Sequence, residues 1–244
     1  MTTDVGVAAL IAALEARDAL PEREKQALLN LGWRPREFPR GAEIIPDRSR
    51  PTESCLLASG LAARSIILLN GSRQITAVHI LGDFVDLHGL LIRVMDHAVV
   101  ALTDCRVVFV EHGELRALAS EEPHLFRMLS TLVAVDSAVQ RAWMVGLGRR
   151  NSASQLAHLL CELYLRLNVV GAVSDRSFEF RIGQTELSDM LGLSVVHTNR
   201  TVQELRAMNL VSWRNGRVSI LDFDALAKLA EFDPTYLNLF REPR

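Results

Sequence analysis

The 244-residue chain has an apolar share of 49%, a charged share of 23% and a formal net charge of -2. Such a chain can bury one large core or two small ones, and the composition excludes a disordered polypeptide. The overall charge by itself signals no polyanionic partner, and no stretch approaches a membrane span. An early apolar stretch is interrupted by Glu15, Arg17 and Asp18, and no cleavage-site pattern follows a basic start, so no secretory leader is expected. Cys55, Cys105 and Cys161 are odd in number, far apart and set among apolar residues. Reduced, buried thiols in a cytoplasmic protein are the expectation.

After an N-terminal helical stretch, residues 43–110 break into short apolar or alternating runs separated by turn residues, which reads as a β-rich domain. Residues 61–69 and 74–80 flank Asn70-Gly71, a pair suited to a type I′ hairpin with positive φ at both positions. Gly82-Asp83 marks the next turn, residues 98–102 and 105–110 supply two further strands, and residues 113–118 have the composition of a short helix.

The period then changes. Leu125, Met128, Leu132, Val135, Val139, Ala142 and Gly146 recur in alternating steps of three and four, a heptad seam. Pro123 suits the first turn of this helix, and Gly146 and Gly148 are expected to mark its end. A seam of this length predicts dimerisation through Leu125, Met128, Leu132, Val135, Val139 and Ala142; the alternative is a helix packed on its own β-domain. A second helix is expected after the capping-box pattern Ser152-Ala153-Ser154-Gln155, with Leu156, Leu160, Leu163 and Leu167 on one face. The chain therefore divides into a β-rich domain at 1–122, for which the resemblance drawn below implies a sensor, a dimerisation helix at 123–148 and a C-terminal domain at 149–244. In the last of these Phe178, Phe180 and Ile182 alternate with Glu179 and Arg181 as a half-buried strand would.

Residues 183–209 read as two helices around a tight turn. Leu187, Met190 and Leu191 form the buried stripe of the first, Gly192 permits a left-handed backbone, and Ser194 can cap the second. On the second helix Thr198, Val202 and Leu205 fall on an inward stripe, while Val196, Asn199, Arg200 and Gln203 fall on the opposite one. Arg200 suits guanine O6 and N7, Asn199 or Gln203 suits adenine, and Val196 suits a thymine methyl, with His197 a further candidate. Just beyond, Arg214 and Arg217 flank Asn215-Gly216 at the tip of a hairpin, the wing of a winged helix. Ser194, Arg214 and Arg217 are expected on phosphates of double-stranded DNA.

A β-rich domain, a long helix and a winged helix in this order resemble the Crp/Fnr family of bacterial transcription regulators, over nearly the whole chain. Its most recognisable pieces here are Gly82-Asp83-Phe84-Val85 and the helix-turn-helix. The resemblance implies an α+β chain: an N-terminal jelly roll of the cyclic-nucleotide-binding type, a dimer helix and a C-terminal winged helix. It also implies a non-enzymatic cytoplasmic homodimer on a palindromic site, with RNA polymerase as a further partner.

The chain departs from the family's cyclic-nucleotide contacts. A glutamate shortly after the Gly-Asp-Phe turn holds the ribose there, and an arginine followed by a hydroxyl residue grips the phosphate; here Leu87 and His97-Ala98 stand in those places. Without a permanent cation a buried phosphate loses charge-assisted bonds of about 1.5–3 kcal/mol each, so cyclic AMP in the usual pose is disfavoured. Iron-sulfur sensing fails because no cysteine precedes Cys55. Asp86, Leu87, His88, His97, Gln140 and Arg141 are the candidate effector-pocket residues. A hydrogen-bonded core network is the plainer reading of the histidines, ahead of haem ligation by His79, His88, His97 or His112 and of a metal-dependent jelly-roll enzyme. No cofactor or metal is expected, and no effector is named.

Overall fold

The computed structural model describes residues 2–241. Helices α1 (Thr2–Glu15) and α2 (Glu22–Leu29) precede strands β1 (Arg34–Phe38), β2 (Glu43–Ile45), β3 (Glu53–Ser59), β4 (Ala62–Ile67), β5 (Arg73–His79), β6 (Ala98–Ala101) and β7 (Cys105–Glu111). The strands make two antiparallel sheets, β1-β7-β3 and β2-β6-β4-β5, between which Leu57, Val99, Val107 and Phe109 are buried. Strand β1 lies before the residues that alternate in the sequence. Its Arg34 bonds Glu53 at 2.8 Å and Glu111 at 2.7 Å, so it is held by its ladder to β7 and by charge rather than by an apolar face.

The β4–β5 hairpin differs from expectation. Only Gly71 has positive φ, at 83°, and amide–carbonyl bonds join Gly71 to Leu68 at 2.9 Å and Leu68 to Ser72 at 2.8 Å. This is a three-residue loop closed by a left-handed glycine, not a type I′ turn. Asn70 instead accepts the amide of Ser72 with its side chain at 3.0 Å.

Helix α3 (His112–Glu121) leads into α4 (Pro123–Arg149), which has Pro123 in its first turn and runs through both glycines to Arg149. Gly146 does not end the helix; a Cβ there would stand 3.3 Å from Gln155 Cγ, so its smallness lets the next helix approach. That helix, α5 (Ser152–Val169), is capped by Asn151, whose side chain accepts from the Ser154 amide at 2.8 Å, and Gln155 turns away to the Leu191 carbonyl. The capping box is thus replaced by an asparagine cap one residue earlier.

The largest correction concerns α4. Leu125 and Met128 are buried with α1, α3 and β7 residues, and Val139 is buried with the apolar residues of α5; Leu132 and Val135 pack against the same two cores. Leu125, Met128 and Val139 of the heptad stripe are therefore covered within the protomer, whereas Leu132, Val135 and Ala142 are half-buried. What α4 leaves to solvent includes Ala134, Ser137, Arg141, Met144, Val145 and Leu147.

The remaining chain is β8 (Ser177–Glu179), α6 (Gln184–Leu191), α7 (Val195–Ala207), β9 (Val211–Arg214), β10 (Arg217–Ile220) and α8 (Phe223–Ala230), with sheet order β8-β10-β9. Its core of Leu156, Leu160, Leu163, Phe178, Phe180, Leu191 and Leu205 is continuous with Val78 and Ile80 of the sensor. A polar joint runs beside it. Arg166 of α5 donates to Asp83 at 2.6 Å, to the Val78 carbonyl at 3.1 Å and to buried Glu162 at 3.1 Å, and Glu162 also accepts from Trp143 of α4 and from Tyr236. Glu162 is thus removed from water and bonded by three partners, and Arg166 links it to half-buried Asp83, which makes breaking this network costly.

His158 of α5 stacks on Tyr236 with ring centroids 5.7 Å apart. Burial, and then the Arg150 charge, push it from 6.5 down to about 4. A lowered histidine contributes stability above pH 6.5 that is lost as pH falls toward 4, about 3 kcal/mol at most. In urea titrations the protein should lose stability across that interval, and His158→Phe should flatten the loss.

Candidate functional site

Two sites stand out, one at each end of the chain. In the first, Gly192 adopts φ 64°, reversing the chain between α6 and α7, and Ser194 caps α7 by accepting the His197 amide at 3.2 Å. Thr198, Thr201 and Leu205 are buried, and Val196, Asn199, Arg200 and Gln203 are exposed. Thr201 joins the inward stripe, its hydroxyl donating to the His197 carbonyl at 3.0 Å. His197 is exposed but its ring is turned back to the Ser152 hydroxyl at 3.2 Å, away from the role of a free reader. Gln184, at the start of α6, lines the same open groove as Val196, Asn199, Arg200 and Gln203. It was not singled out from the sequence, although its place at the first position of the leading helix was the available signal.

The hairpin tip has φ 52° at Asn215 and 74° at Gly216, with Arg214 paired to Arg217, which is the type I′ geometry that Asn-Gly favours. Both arginines are exposed. Ser194, Arg200, Arg214 and Arg217 thus present hydrogen-bond donors to solvent, the chemistry a phosphate backbone and base edges require.

The second site lies in the sensor. The short 3-10 turn Leu87–Leu90 carries His88, and His97 is fixed by the start of β6 and by Met95, whose amide bonds the Ser49 carbonyl at 2.9 Å. The His88 and His97 rings are 5.1 Å apart, centre to centre. Nδ1 of His97 donates to Asp96 at 2.7 Å, while Nε2 of His79, His88 and His97 are buried without a hydrogen-bond partner among the described residues. Each such orphan costs about 1–3 kcal/mol. Burial, and then the Arg64 charge, hold His97 and His79 below the usual histidine range and put His88 at about 4, so these rings are neutral at neutral pH.

The six candidate pocket residues do not all meet. Asp86 is buried and accepts the Cys55 amide at 2.7 Å, and desolvation raises its carboxyl to about 7, which marks a strut of the sheet. Leu87 packs in the apolar cluster with Leu115 and Leu129. Gln140 donates to Asp136 at 3.3 Å, whereas Arg141 is exposed on α4. Arg64 and Asp136 were missed. Arg64 of β4 is buried beside the histidines and donates to Asp136 of α4 at 2.8 Å. A pair 72 residues apart carries no local signature in a sequence.

The family model for a Crp-like helix-turn-helix domain matches residues 154–229, and that for a cyclic nucleotide-binding domain matches residues 35–122. The nitrogen fixation regulation protein FixK of Azorhizobium caulinodans is 26% identical over 209 residues, spanning 85% of this chain and 83% of that protein. The fumarate and nitrate reduction regulatory protein of Escherichia coli is 23% identical over 211 residues, 86% of this chain and 84% of that one. The solved structure of FixK2 from Bradyrhizobium japonicum covers 82% of this chain and 98% of its own at a TM-score of 0.74 and 20% identity, which shows a shared fold. The chain belongs to the Crp/Fnr family. It is a DNA-binding transcription regulator with a cyclic-nucleotide-binding-type domain, a long helix and a helix-turn-helix. Among the described residues no helix is long and apolar enough to cross a membrane.

In this Crp/Fnr regulator the sensor does hold a permanent cation, but its charge is already matched. Arg64 is bonded by Asp136, which would also repel a phosphate brought beside it. Asp136→Ala leaves Arg64 buried and unpaired and should cost about 3 kcal/mol in urea unfolding. Arg64→Met combined with Asp136→Leu should recover most of that loss; an equal loss in the double variant would mean the pair is not what matters.

Proposed function

We propose that the chain acts as a cytoplasmic homodimer on a palindromic operator, reading bases with Val196, Asn199, Arg200 and Gln203 and holding phosphates with Ser194, Arg214 and Arg217. The carrying observation is the division of α7, whose polar face is solvent-exposed from Val196 to Gln203 while Thr198, Thr201 and Leu205 are buried. Gln184 extends this face, and His197 has a lesser part because of its bond to Ser152. Two such helices related by a twofold axis would enter successive major grooves about 34 Å apart. The working units are a sensor at 1–122, the helix at 123–148 and a DNA-binding domain at 149–244, with RNA polymerase as the partner that converts binding into a change in transcription.

The dimer contact moves to the outer side of α4. Ala134, Ala138, Arg141 and Val145 recur there at alternating steps of four and three, Ala138 half-buried and the others exposed. Two of the four are alanines, whose small side chains allow two helices to approach closely. Control by cyclic AMP in the family's usual pose is disfavoured, since Leu87 is in the apolar core and Arg64 is paired with Asp136, and a regulator with no small-molecule effector is the alternative within the class.

Arg200→Ala should lower affinity for the specific site by about 1–3 kcal/mol while changing affinity for random DNA little; Arg217→Ala should weaken both and reduce the salt slope by about one. Equal losses from Arg200→Ala on specific and random duplexes, in fluorescence anisotropy, would remove it from base reading. Ala134→Glu should give monomers in sedimentation that stay folded by circular dichroism, whereas Val139→Glu should unfold the protomer, because Ala134 is exposed on the single chain and Val139 is buried within it.

A further inference from the structure

His88, Asp96 and His97 each offer a donor atom that lies within 4.8 Å of the other two. The sequence left a metal as the lesser reading of these histidines and a core network as the plainer one. A network needs its members bonded. Here Asp96 satisfies only Nδ1 of His97, and Nε2 of both His88 and His97 is buried with no partner among the described residues. The His97 side chain is 6% exposed and that of Asp96 is 82% exposed, so the group opens to solvent at its carboxylate end.

From this geometry we infer that His88, His97 and Asp96 form a binding site for a divalent transition metal ion. Two neutral imidazoles and one carboxylate with open positions are the donor set that suits zinc or ferrous iron, and hard cations such as magnesium are disfavoured by the nitrogen donors. Asp96 accepts from Nδ1 of His97 at 2.7 Å; as a ligand it would exchange that hydrogen bond for the ion, since one carboxylate cannot hold Nδ1 and also reach an ion on Nε2 of the same ring. The exposed position of Asp96 gives the ion its route in.

The surroundings suit an occupied site. Arg64, whose charge bears most on His88 and His97, is bonded by Asp136, which offsets part of the repulsion a bound divalent ion would meet from it, and the Asp96 carboxylate supplies a further negative charge. Donor-to-donor distances up to 4.8 Å exceed those around a bound ion by a margin that a side-chain rotation closes. His79 has its own buried unpaired Nε2 and lies near enough to both rings for their charges to bear on it. Asp136 belongs to α4, so occupancy would be felt at the helix that joins sensor and DNA-binding domain. The site itself does not depend on that consequence.

The test uses the full chain, stripped with a chelator, and direct metal titrations with zinc, cobalt(II) and, without oxygen, ferrous iron. One ion per chain should bind, with at least a 100-fold loss of affinity in His88→Ala and in His97→Ala and a roughly 10- to 100-fold loss in Asp96→Asn. X-ray absorption on the zinc-loaded wild-type chain should show two imidazoles and no sulfur, a result independent of how the variants fold. Failure of all three ions to bind stoichiometrically would overturn the inference. So would sulfur ligation by the cysteines, or undiminished binding in the His88→Ala/His97→Ala double variant. Because none of these readouts involves DNA, failure here leaves the operator-binding reading untouched.

Discussion

One helix belongs to two cores, and the rest of the molecule is arranged around that fact. The first half of α4 buries Leu125, Met128 and Leu129 against α1 and α3, and its second half buries Val139 and Trp143 against α5. Each half's apolar burial, at about 25 cal/mol per Å², holds the helix to the core it joins. The polar contacts reinforce the constraint: Arg166 ties α5 to Asp83 in the sensor, Trp143 ties α4 to Glu162, and Arg73 and Gln74 of β5 bond Asp189 of α6. The helix-turn-helix is therefore held against the sensor hairpin, not suspended from a linker.

This construction gives the sensor a short path to the DNA-binding face. Arg64 of β4 is bonded to Asp136 of α4, and its charge bears on His79, His88 and His97, so the Arg64–Asp136 bond is the link between that group and the helix. A two-state element is required for such a coupling to become regulation, and α4 with its two faces is the element available. One face is fixed within the protomer. The other is exposed on the single chain.

Much of the DNA-binding half was legible in the sequence because its signals are local. A glycine turn, a serine cap, a split helical face and an Asn-Gly tip all act within a few residues, and each leaves its residue types in order along the chain. The sensor was less legible. Strand β1 is charged and carries no apolar alternation, and the Arg64–Asp136 pair and the meeting of His88 with His97 depend on chain reversals that periodicity does not encode. Asn70-Gly71 and Asn215-Gly216 are the same dipeptide in different turns, because the flanking Leu68 and Ser72 close a longer loop in the first case. The heptad stripe of α4 shows most clearly where reading by pattern stops. Periodicity identifies a buried face, but it does not say whether the covering surface is another chain or the same one.

That α4 turns its heptad stripe inward and leaves its opposite face for a second copy is tested most directly by disulfide cross-linking of single-cysteine variants along the helix. The native Cys55, Cys105 and Cys161 would first be replaced by small residues, since all three are free and buried. Rapid oxidation to covalent dimers is predicted for Ala134→Cys and Ala138→Cys, and none for Leu132→Cys and Val135→Cys. Dimers formed by Leu132→Cys or Val135→Cys, with none from Ala134→Cys or Ala138→Cys, would contradict this arrangement and restore the heptad stripe as the interface.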